Sequence, residues 1–467
     1  MNSIPQQIDQ LISRARKAQQ QISSYDQQQL DNLTYAVGWA VMQPDNNQLL
    51  SKQACAETKL GDISHKIQKN HRKTLGLLRD LKKIKSTGVI AENKALGITE
   101  LARPLGVIGA LVPSTNPIAT PVNKIINALK CGNSIIVAPS PRGAAVFQKL
   151  LSYIHQEFDK IGAPHDLVQS MPSPPTKEAT NDLIKKVDLV LVTGSQNNVR
   201  AAYSSGTPAI GVGTGNVTTI VDKSADIATT AQKIYQSKTF DNGTSCSSEN
   251  NIICDVAIYD QLLQQLEKQG GYLLNPQETE KLRQHFWKDG SLNTQLIAQP
   301  ANVIAKECDI QAPENTTMLL VRGGEIKADN PFCKERMAPI LSLFTSENFA
   351  QAMDFTEQLL LIQGAGHSLG IHTSTKNDQQ IMQLAKKMPT CRVIVNQAHC
   401  FATGGSFNNG LPFSLSMGCG SWGGNSIDGN LNVQHYMNRT KIVREIPTNE
   451  PTVEEIFSEY FAIQPTK

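Results

Sequence analysis

From residue 105 onwards, short unbroken apolar runs alternate with stretches of helical periodicity. Val107-Ile108-Gly109-Ala110-Leu111-Val112 is the first run, closed by Pro113 and Pro117. Val122, Ile125, Ile126 and Leu129 then keep helical spacing, and the run 134–138 follows, stopped by Pro139. A helix is expected near 144–158, a third run at 187–192 ended by Thr193-Gly194-Ser195, and a fourth at 208–213. Runs without polar alternation, separated by helices, predict a parallel sheet covered on both faces. The alternation resumes after Asn242, with strands expected at 252–254, 341–344, 369–372 and 392–395. The N-terminal part reads as helices, because Ile4, Ile8, Leu11, Ile12 and Ala15, then Leu30, Leu33, Val37 and Val41, recur on one helical face. The Gln-rich pieces at 19–21 and 27–29 are expected on the polar faces of those helices. The pattern therefore predicts an α/β protein of two lobes. Ligands of such sheets bind outside the carboxyl ends of the strands, so the loops 113–117, 139–143, 193–197 and 211–216 are the first places to look.

Composition narrows the function classes. A chain of 467 residues exceeds the roughly 250–300 at which single cores stop growing. Lys+Arg 44 against Asp+Glu 41 gives a net charge of +3 without a basic block, so nucleic acid finds no electrostatic footprint. No run approaches the ~20 apolar residues of a membrane span, and the first thirty residues lack the apolar core of a signal peptide. The nine cysteines are dilute, odd in number and free of any C-x-x-C pair. That argues against a disulfide framework and a structural zinc site, and no metal is expected. A reduced, cytoplasmic protein is the expectation.

Candidate chemistry gathers around one loop. No G-x-G-x-x-G follows the first strand, and Gly211-x-Gly213-x-Gly215 is only loosely similar to that fingerprint. Cys246, in Phe240-Asp-Asn-Gly-Thr-Ser-Cys-Ser-Ser-Glu249, sits in a polar loop of small residues between a helix and an expected strand. Most free cysteines are small buried hydrophobes, but a reactive thiolate needs the access and the donors that such a loop supplies.

Ten strings occur in an order that resembles the coenzyme-A-acylating branch of the aldehyde dehydrogenase superfamily, over nearly the whole chain. They are Arg103-Pro-Leu-Gly-Val-Ile108, Pro113-Ser114-Thr115-Asn116-Pro117, Ala138-Pro-Ser140-Pro-Arg142, Thr193-Gly194, Ala201-Ala-Tyr-Ser-Ser-Gly-Thr-Pro208, Gly211-Val-Gly213-Thr-Gly215-Asn216, the Cys246 loop, Lys334-Glu335-Arg-Met-Ala-Pro339, Gly366-His367 and Gly418-Cys-Gly-Ser-Trp-Gly-Gly-Asn-Ser426. The last is particular to the acylating branch.

The resemblance implies an aldehyde dehydrogenase-like fold. It would have a Rossmann-type dinucleotide-binding lobe (1–85 and 104–239), an α/β catalytic lobe (240–426), a small β oligomerisation flap (86–103 and 427–446) and a C-terminal tail (447–467). It implies that Cys246 attacks the aldehyde carbon, that Asn116 and the Cys246 backbone N–H stabilise the oxyanion, and that Glu335 holds the nicotinamide ribose. Pro113, Ser114, Thr115, Ser140, Arg142, Thr193, Gly194, Ser195 and Gly213 complete the expected nucleotide site. The nucleotide is expected to be NADP or NAD, with NADP slightly favoured because the similar sulfoacetaldehyde enzymes favour it. Arg142 suits a 2′-phosphate but occurs in NAD-using relatives as well.

Hydrolytic relatives carry a Glu-Leu-Gly-Gly string whose glutamate activates water. The matching segment here, 211–215, contains no carboxylate, which leaves water a poor acceptor and favours a thiol such as coenzyme A. His367 either assists that thiol or is a hydrogen-bonded structural histidine. Thr244, Ser245, Ser247 and His399 are expected to line the aldehyde end with donors for a small anionic aldehyde. Sulfoacetaldehyde leads, followed by succinate semialdehyde and acetaldehyde. A homodimer or homotetramer is expected, without nucleic acid or membrane partners. The rival from another class is an inactive, filament-forming scaffold on the same fold.

Overall fold

The apolar run Val107–Val112 is buried at every position and is the middle strand of a five-stranded parallel sheet. The order is Val168–Ser170, Ser134–Pro139, Val107–Val112, Leu189–Val192, Ala209–Gly211. Alternate residues of these strands enter different cores. Ile108, Ala110, Ile135 and Val137 pack with helices Gln27–Met42, Ala119–Lys130 and Ala144–Ile161, whereas Val107, Leu111, Ile136 and Val190 pack with Ile4–Gln21 and Lys177–Lys186. Both faces being covered is why the strands read as unbroken apolar runs. The computed structural model describes residues 3–463.

The second sheet has seven parallel strands in the order Gly271–Leu273, Met318–Arg322, Ile340–Ser346, Glu249–Asp255, Val217–Val221, Leu369–His372, Val393–Val395. A third, antiparallel sheet joins Gly88–Asn93, Ile98–Pro104 and Met437–Val443. Among the described residues no helix is long and apolar enough to cross a membrane.

Three expected boundaries move. Val217–Val221 lies between two strands of the seven-stranded sheet, and Ala231 and Ile234 of helix Ile227–Thr239 join that sheet's core. The first lobe therefore ends within 212–216, not at 239. The chain also returns to the first lobe before 426, since Phe413, Leu431, Val433 and Tyr436 pack into its core. For the same reason residues 427–436 belong to that lobe, and the flap strand begins only at Met437. The expected tail carries a helix, Val453–Ile463, whose residues are all exposed.

The central strand has one neighbour reached by a crossover to each side, so Val107–Val112 and Leu189–Val192 flank the point where strand order reverses. Such a switch point opens a crevice at the carboxyl ends of the strands. The loops 113–117 and 193–195 border it.

Candidate active site

Helix Ile227–Thr239 runs into the short turn Phe240–Gly243, where Asp241 (φ 52°), Asn242 (φ 52°) and Gly243 (φ 71°) are all left-handed. Asp and Asn are the side chains that tolerate this region best after glycine. Here Asp241 is also pinned by its partners. Its Oδ1 accepts from the Asp62 backbone N–H at 2.8 Å, and its Oδ2 accepts from Lys69 Nζ at 2.5 Å, Lys66 Nζ at 3.1 Å and Thr244 Oγ1 at 2.9 Å. Burial pushes the Asp241 carboxyl up, but Lys69 and Lys66 outweigh it and hold it below the usual carboxylate range. The ion-paired turn delivers residues 244–248, including Cys246, to the start of strand Glu249–Asp255.

Cys246 is half-buried. Burial pushes its thiol up to about 12, with the nearby Glu335 and Cys419 adding to the shift and the Ser247 hydroxyl opposing it. Glu335, next to the turn Pro331–Cys333, is itself raised to about 8 by burial, against the pull of Lys238 and Arg336. It forms no ion pair with Lys334 or Arg336 among the described residues; Arg336 is fully buried and donates to the Phe332, Ile340 and Asn250 carbonyls. A thiol raised this far is neutral at pH 7. Alkylation of Cys246 by iodoacetamide in the ligand-free chain is accordingly expected to rise roughly tenfold per pH unit from pH 7 to 9. A plateau below pH 8, measured by peptide mass mapping, would show that the thiol ionises more easily than its burial allows.

The segment 211–215 lies directly against this loop. A Cβ at Gly215 would collide with the Cys246 carbonyl, so only glycine permits the approach. The segment that the resemblance matches to the hydrolytic enzymes' glutamate string is thus beside Cys246 and holds Gly, Val and Thr. Gly213 faces Cys419, whose sulfur would stand 2.8 Å from a Cβ there. On that side it joins the segment 211–215 to the Gly418–Ser426 string.

Asn116 follows the central strand and lines a small inner cavity together with Ser245, the neighbour of Cys246. Its Oδ1 accepts from Lys69 Nζ at 2.7 Å. An ammonium only donates, so the amide must turn its oxygen to Lys69 and leave its NH₂ free as a donor.

The remaining expected nucleotide residues lie in the loops at the carboxyl ends of Val107–Val112, Ser134–Pro139 and Leu189–Val192. Thr193 Oγ1 and Ser416 Oγ are 2.6 Å apart, Ser195 caps helix Gln196–Tyr203 by accepting from the Asn198 N–H, and Pro113, Ser114 and Thr115 are half-buried. Arg142 is exposed at the turn Pro141–Gly143. The Ser140 hydroxyl beside it is buried without a partner, and a helix N-terminus with such orphaned donors fits a phosphate-bearing nucleotide.

The two expected histidines form one unit. His367 Nδ1 and His399 Nε2 lie 2.8 and 3.0 Å from the Ser368 hydroxyl, and the other ring nitrogen of each is buried without a partner. Burial pushes both imidazoles down to about 3, Arg392 adding to it for His367 and the neighbouring histidines for His399. Both are therefore neutral. Arg392 donates from Nη1 to the His367 and Gly418 carbonyls, each at 2.9 Å, and so ties two of the branch's strings together.

Of the four side chains expected at the aldehyde end, Ser245 alone lines the inner cavity. Thr244 is taken up by Asp241, Ser247 is buried against the Cys246 thiol, and His399 is turned to Ser368. The cavity wall is instead supplied by helix Ile63–Leu81 through Lys69, Arg72 and Lys73. Those residues, with Asp241 and Arg392, were not among the expected site residues. The available signal was the spacing of Lys66, Lys69 and Lys73 along one helical face.

Residues 2–274 match the model of the aldehyde dehydrogenase family. The chain is 49% identical over 454 residues to sulfoacetaldehyde dehydrogenase (acylating) of Cupriavidus necator, covering 97% of this chain and 92% of that protein. Its fold is similar to the crystal structure of an acetylating aldehyde dehydrogenase from Geobacillus thermoglucosidasius, with a TM-score of 0.92, 31% identity and coverage of 96% and 98%. It is also similar to propionaldehyde dehydrogenase of Rhodopseudomonas palustris with bound propionyl-CoA, with a TM-score of 0.83, 26% identity and 94% of each chain covered.

Proposed function

The chain belongs to the aldehyde dehydrogenase family, in its acylating branch, and from that premise we propose that it oxidises sulfoacetaldehyde with coenzyme A and NAD(P)⁺ to sulfoacetyl-CoA. The observation that carries the choice of coenzyme A over water is the carboxylate-free segment 211–215 packed on the Cys246 carbonyl. The relative of the same printed activity at 49% identity supports the substrate.

The chemistry follows from the chain's own groups. The Cys246 thiol, neutral at rest, gives up its proton to solvent as its sulfur bonds to the aldehyde carbon, and the carbonyl oxygen takes the charge within reach of the free Asn116 NH₂ and the Cys246 backbone N–H. The bound nucleotide supplies the hydride acceptor, for which Pro113, Ser114, Thr115, Ser140, Arg142, Thr193, Gly194, Ser195 and Glu335 form the setting. Loss of hydride from the carbon of that oxyanion leaves a thioester on Cys246. The thiol of coenzyme A then attacks the thioester carbon, breaks the bond to Cys246 and releases acyl-CoA. The incoming thiol's proton passes to the departing Cys246 sulfur, whose burial favours the thiol form. His367, held down to about 3 by burial and Arg392, stays neutral, and its unpartnered Nε2 is placed to hydrogen-bond coenzyme A without taking that proton. Exposed Arg142 beside the orphaned Ser140 hydroxyl can pair with the 2′-phosphate of NADP bidentately but is compatible with NAD as well, so the parallel assay with the two nucleotides decides between them. The exposed edge strands Gly88–Asn93 and Met437–Val443 support a homodimer or homotetramer, because bare strand edges invite pairing with another copy.

The test is NAD(P)H formation from sulfoacetaldehyde with and without coenzyme A, in parallel with NAD⁺ and NADP⁺. Omission of coenzyme A is expected to slow turnover on the order of 100-fold, the lower range for loss of a general base's help to water. Equal rates without it would make water the acceptor and overturn the proposal.

A further inference from the structure

Helix Ile63–Leu81, capped by Asp62 accepting from the His65 N–H, turns a row of cations inward. Lys66, Lys69 and Lys73 are spaced three or four residues apart, with Arg72 adjoining Lys73, all on one side of the helix, and all are buried or half-buried. One carboxylate answers them, Asp241, which pairs with Lys66 and Lys69. Arg72 and Lys73 form no ion pair among the described residues. Arg72 donates from Nη2 to the Ser406 hydroxyl at 2.6 Å, and Lys73 from Nζ to the Gly404 carbonyl at 2.7 Å; both acceptors are neutral. A sheltered site does not hold such an excess of positive charge cheaply unless a counter-ion joins it. The excess registers on Lys73, whose ammonium burial and the adjacent Arg72 push down to about 7.

The placement of these two cations is specific. The Arg72 guanidinium is held 5.3 Å from the ring centroids of both Phe401 and Phe407, and its Nε is buried without a partner. Arg72 and Lys73 both line the inner cavity that Asn116 and Ser245 line, and Arg72 also lines an outer cleft of about 860 Å³. Arg72, Phe240 and Phe401 line both spaces, so Arg72 stands in the wall between the outer cleft and the cavity that holds the amide of Asn116. The inner cavity is small, about 40 Å³, so an aldehyde whose carbonyl reaches Asn116 brings the far end of a short chain to Arg72 and Lys73.

We propose that Arg72 and Lys73 seat the anionic terminus of the aldehyde and so set a preference for charged over neutral substrates. The proposal rests on the acylating aldehyde dehydrogenase reading of the site and adds the side chains that recognise substrate charge. A sulfonate offers three oxygens to the donors left free on Arg72 and Lys73; a carboxylate offers two. The seat thus takes over the role that the hydroxyl and imidazole groups of Thr244, Ser247 and His399 were expected to fill.

The test compares Arg72→Gln, Lys73→Met and Arg72→Lys with the unsubstituted chain on sulfoacetaldehyde, succinate semialdehyde and acetaldehyde. The ratio of kcat/KM for sulfoacetaldehyde to that for acetaldehyde is expected to fall on the order of 100-fold in Arg72→Gln and about tenfold in Lys73→Met, mainly through KM. Arg72→Lys, which keeps the charge and loses the fork, is expected to recover part of the ratio. Ethanesulfonate carries the anion without the aldehyde. It is expected to protect Cys246 from iodoacetamide in the unsubstituted chain and to lose that effect in Arg72→Gln, a readout that needs no turnover. Equal losses on charged and neutral aldehydes, or protection that survives Arg72→Gln, overturns the proposal. A chain that ethanesulfonate protects but that prefers succinate semialdehyde keeps the anion seat and overturns the sulfonate as its natural occupant. If the unsubstituted chain oxidises no aldehyde with coenzyme A, the functional reading falls, and the protection experiment still decides the seat.

Discussion

Cys246→Ala is expected to remove turnover with every aldehyde, by a factor on the order of 10⁵–10⁶, the scale seen when a covalent nucleophile is deleted. Nucleotide affinity, read by quenching of protein fluorescence or by calorimetry, is expected to stay within about twofold, because the crevice bordered by 113–117 and 193–195 does not depend on the thiol. Stability is also expected to hold within about 1 kcal/mol. The thiol is neutral at pH 7, since burial raises it to about 12, so the substitution removes no charge from the Asp241 and Glu335 surroundings. Two observables therefore separate: chemistry is lost while binding and folding remain. Turnover surviving in this variant would falsify the assignment of Cys246. Lost turnover together with lost nucleotide binding would point to a collapsed loop, which thermal unfolding would reveal. The inactive-scaffold alternative makes the opposite prediction, since nothing would be lost.

The parts legible in the sequence were those that local chemistry writes plainly. The strand Val107–Val112 is buried on both sides and carries no polar position, and the helix Ile4–Gln21 keeps a single apolar face. Val217–Val221 went unread because its interior is Thr218-Thr219, two buried hydroxyls inside a sheet, directly after a glycine-rich turn. Met318–Arg322 is five residues long, and periodicity cannot tell so short an apolar run from a helical turn. Helix Ile63–Leu81 was harder still. It buries Lys66, Lys69, Asn70 and Thr74 along with Leu77 and Leu81, so its inward face is polar and reads from sequence as a solvated one. That face matters to the site, and only the tertiary partner Asp241, 172 residues from Lys69, gives it a reason to be buried. His399 shows the same limit, because its Nε2 lies against the Ser368 hydroxyl, whose position no spacing along the chain discloses.

Asn116→Asp is expected to lower kcat by about 10³ or more while changing the aldehyde KM little. The side chain keeps its shape, and one carboxylate oxygen can still accept from Lys69, which now stands 2.7 Å from the Asn116 Oδ1. The other oxygen replaces the NH₂, so a donor becomes an acceptor bearing negative charge just where the aldehyde oxygen turns anionic. Losing one oxyanion donor costs about 10²–10³ in rate, and Asn116→Ala should show that figure; the isosteric acid adds repulsion to the loss. Because the charge on the oxygen develops only on the way to the thiohemiacetal, the effect belongs to kcat rather than to ground-state binding. Lys69 offers the control. If it acts by orienting the amide, Lys69→Met lowers kcat in the native background but adds little once Asn116 is alanine, and the two effects are not additive. Full additivity would mean that Lys69 supports the site through Asp241 alone. A loss confined to KM in Asn116→Asp would mean that Asn116 holds the aldehyde but does not stabilise its oxyanion.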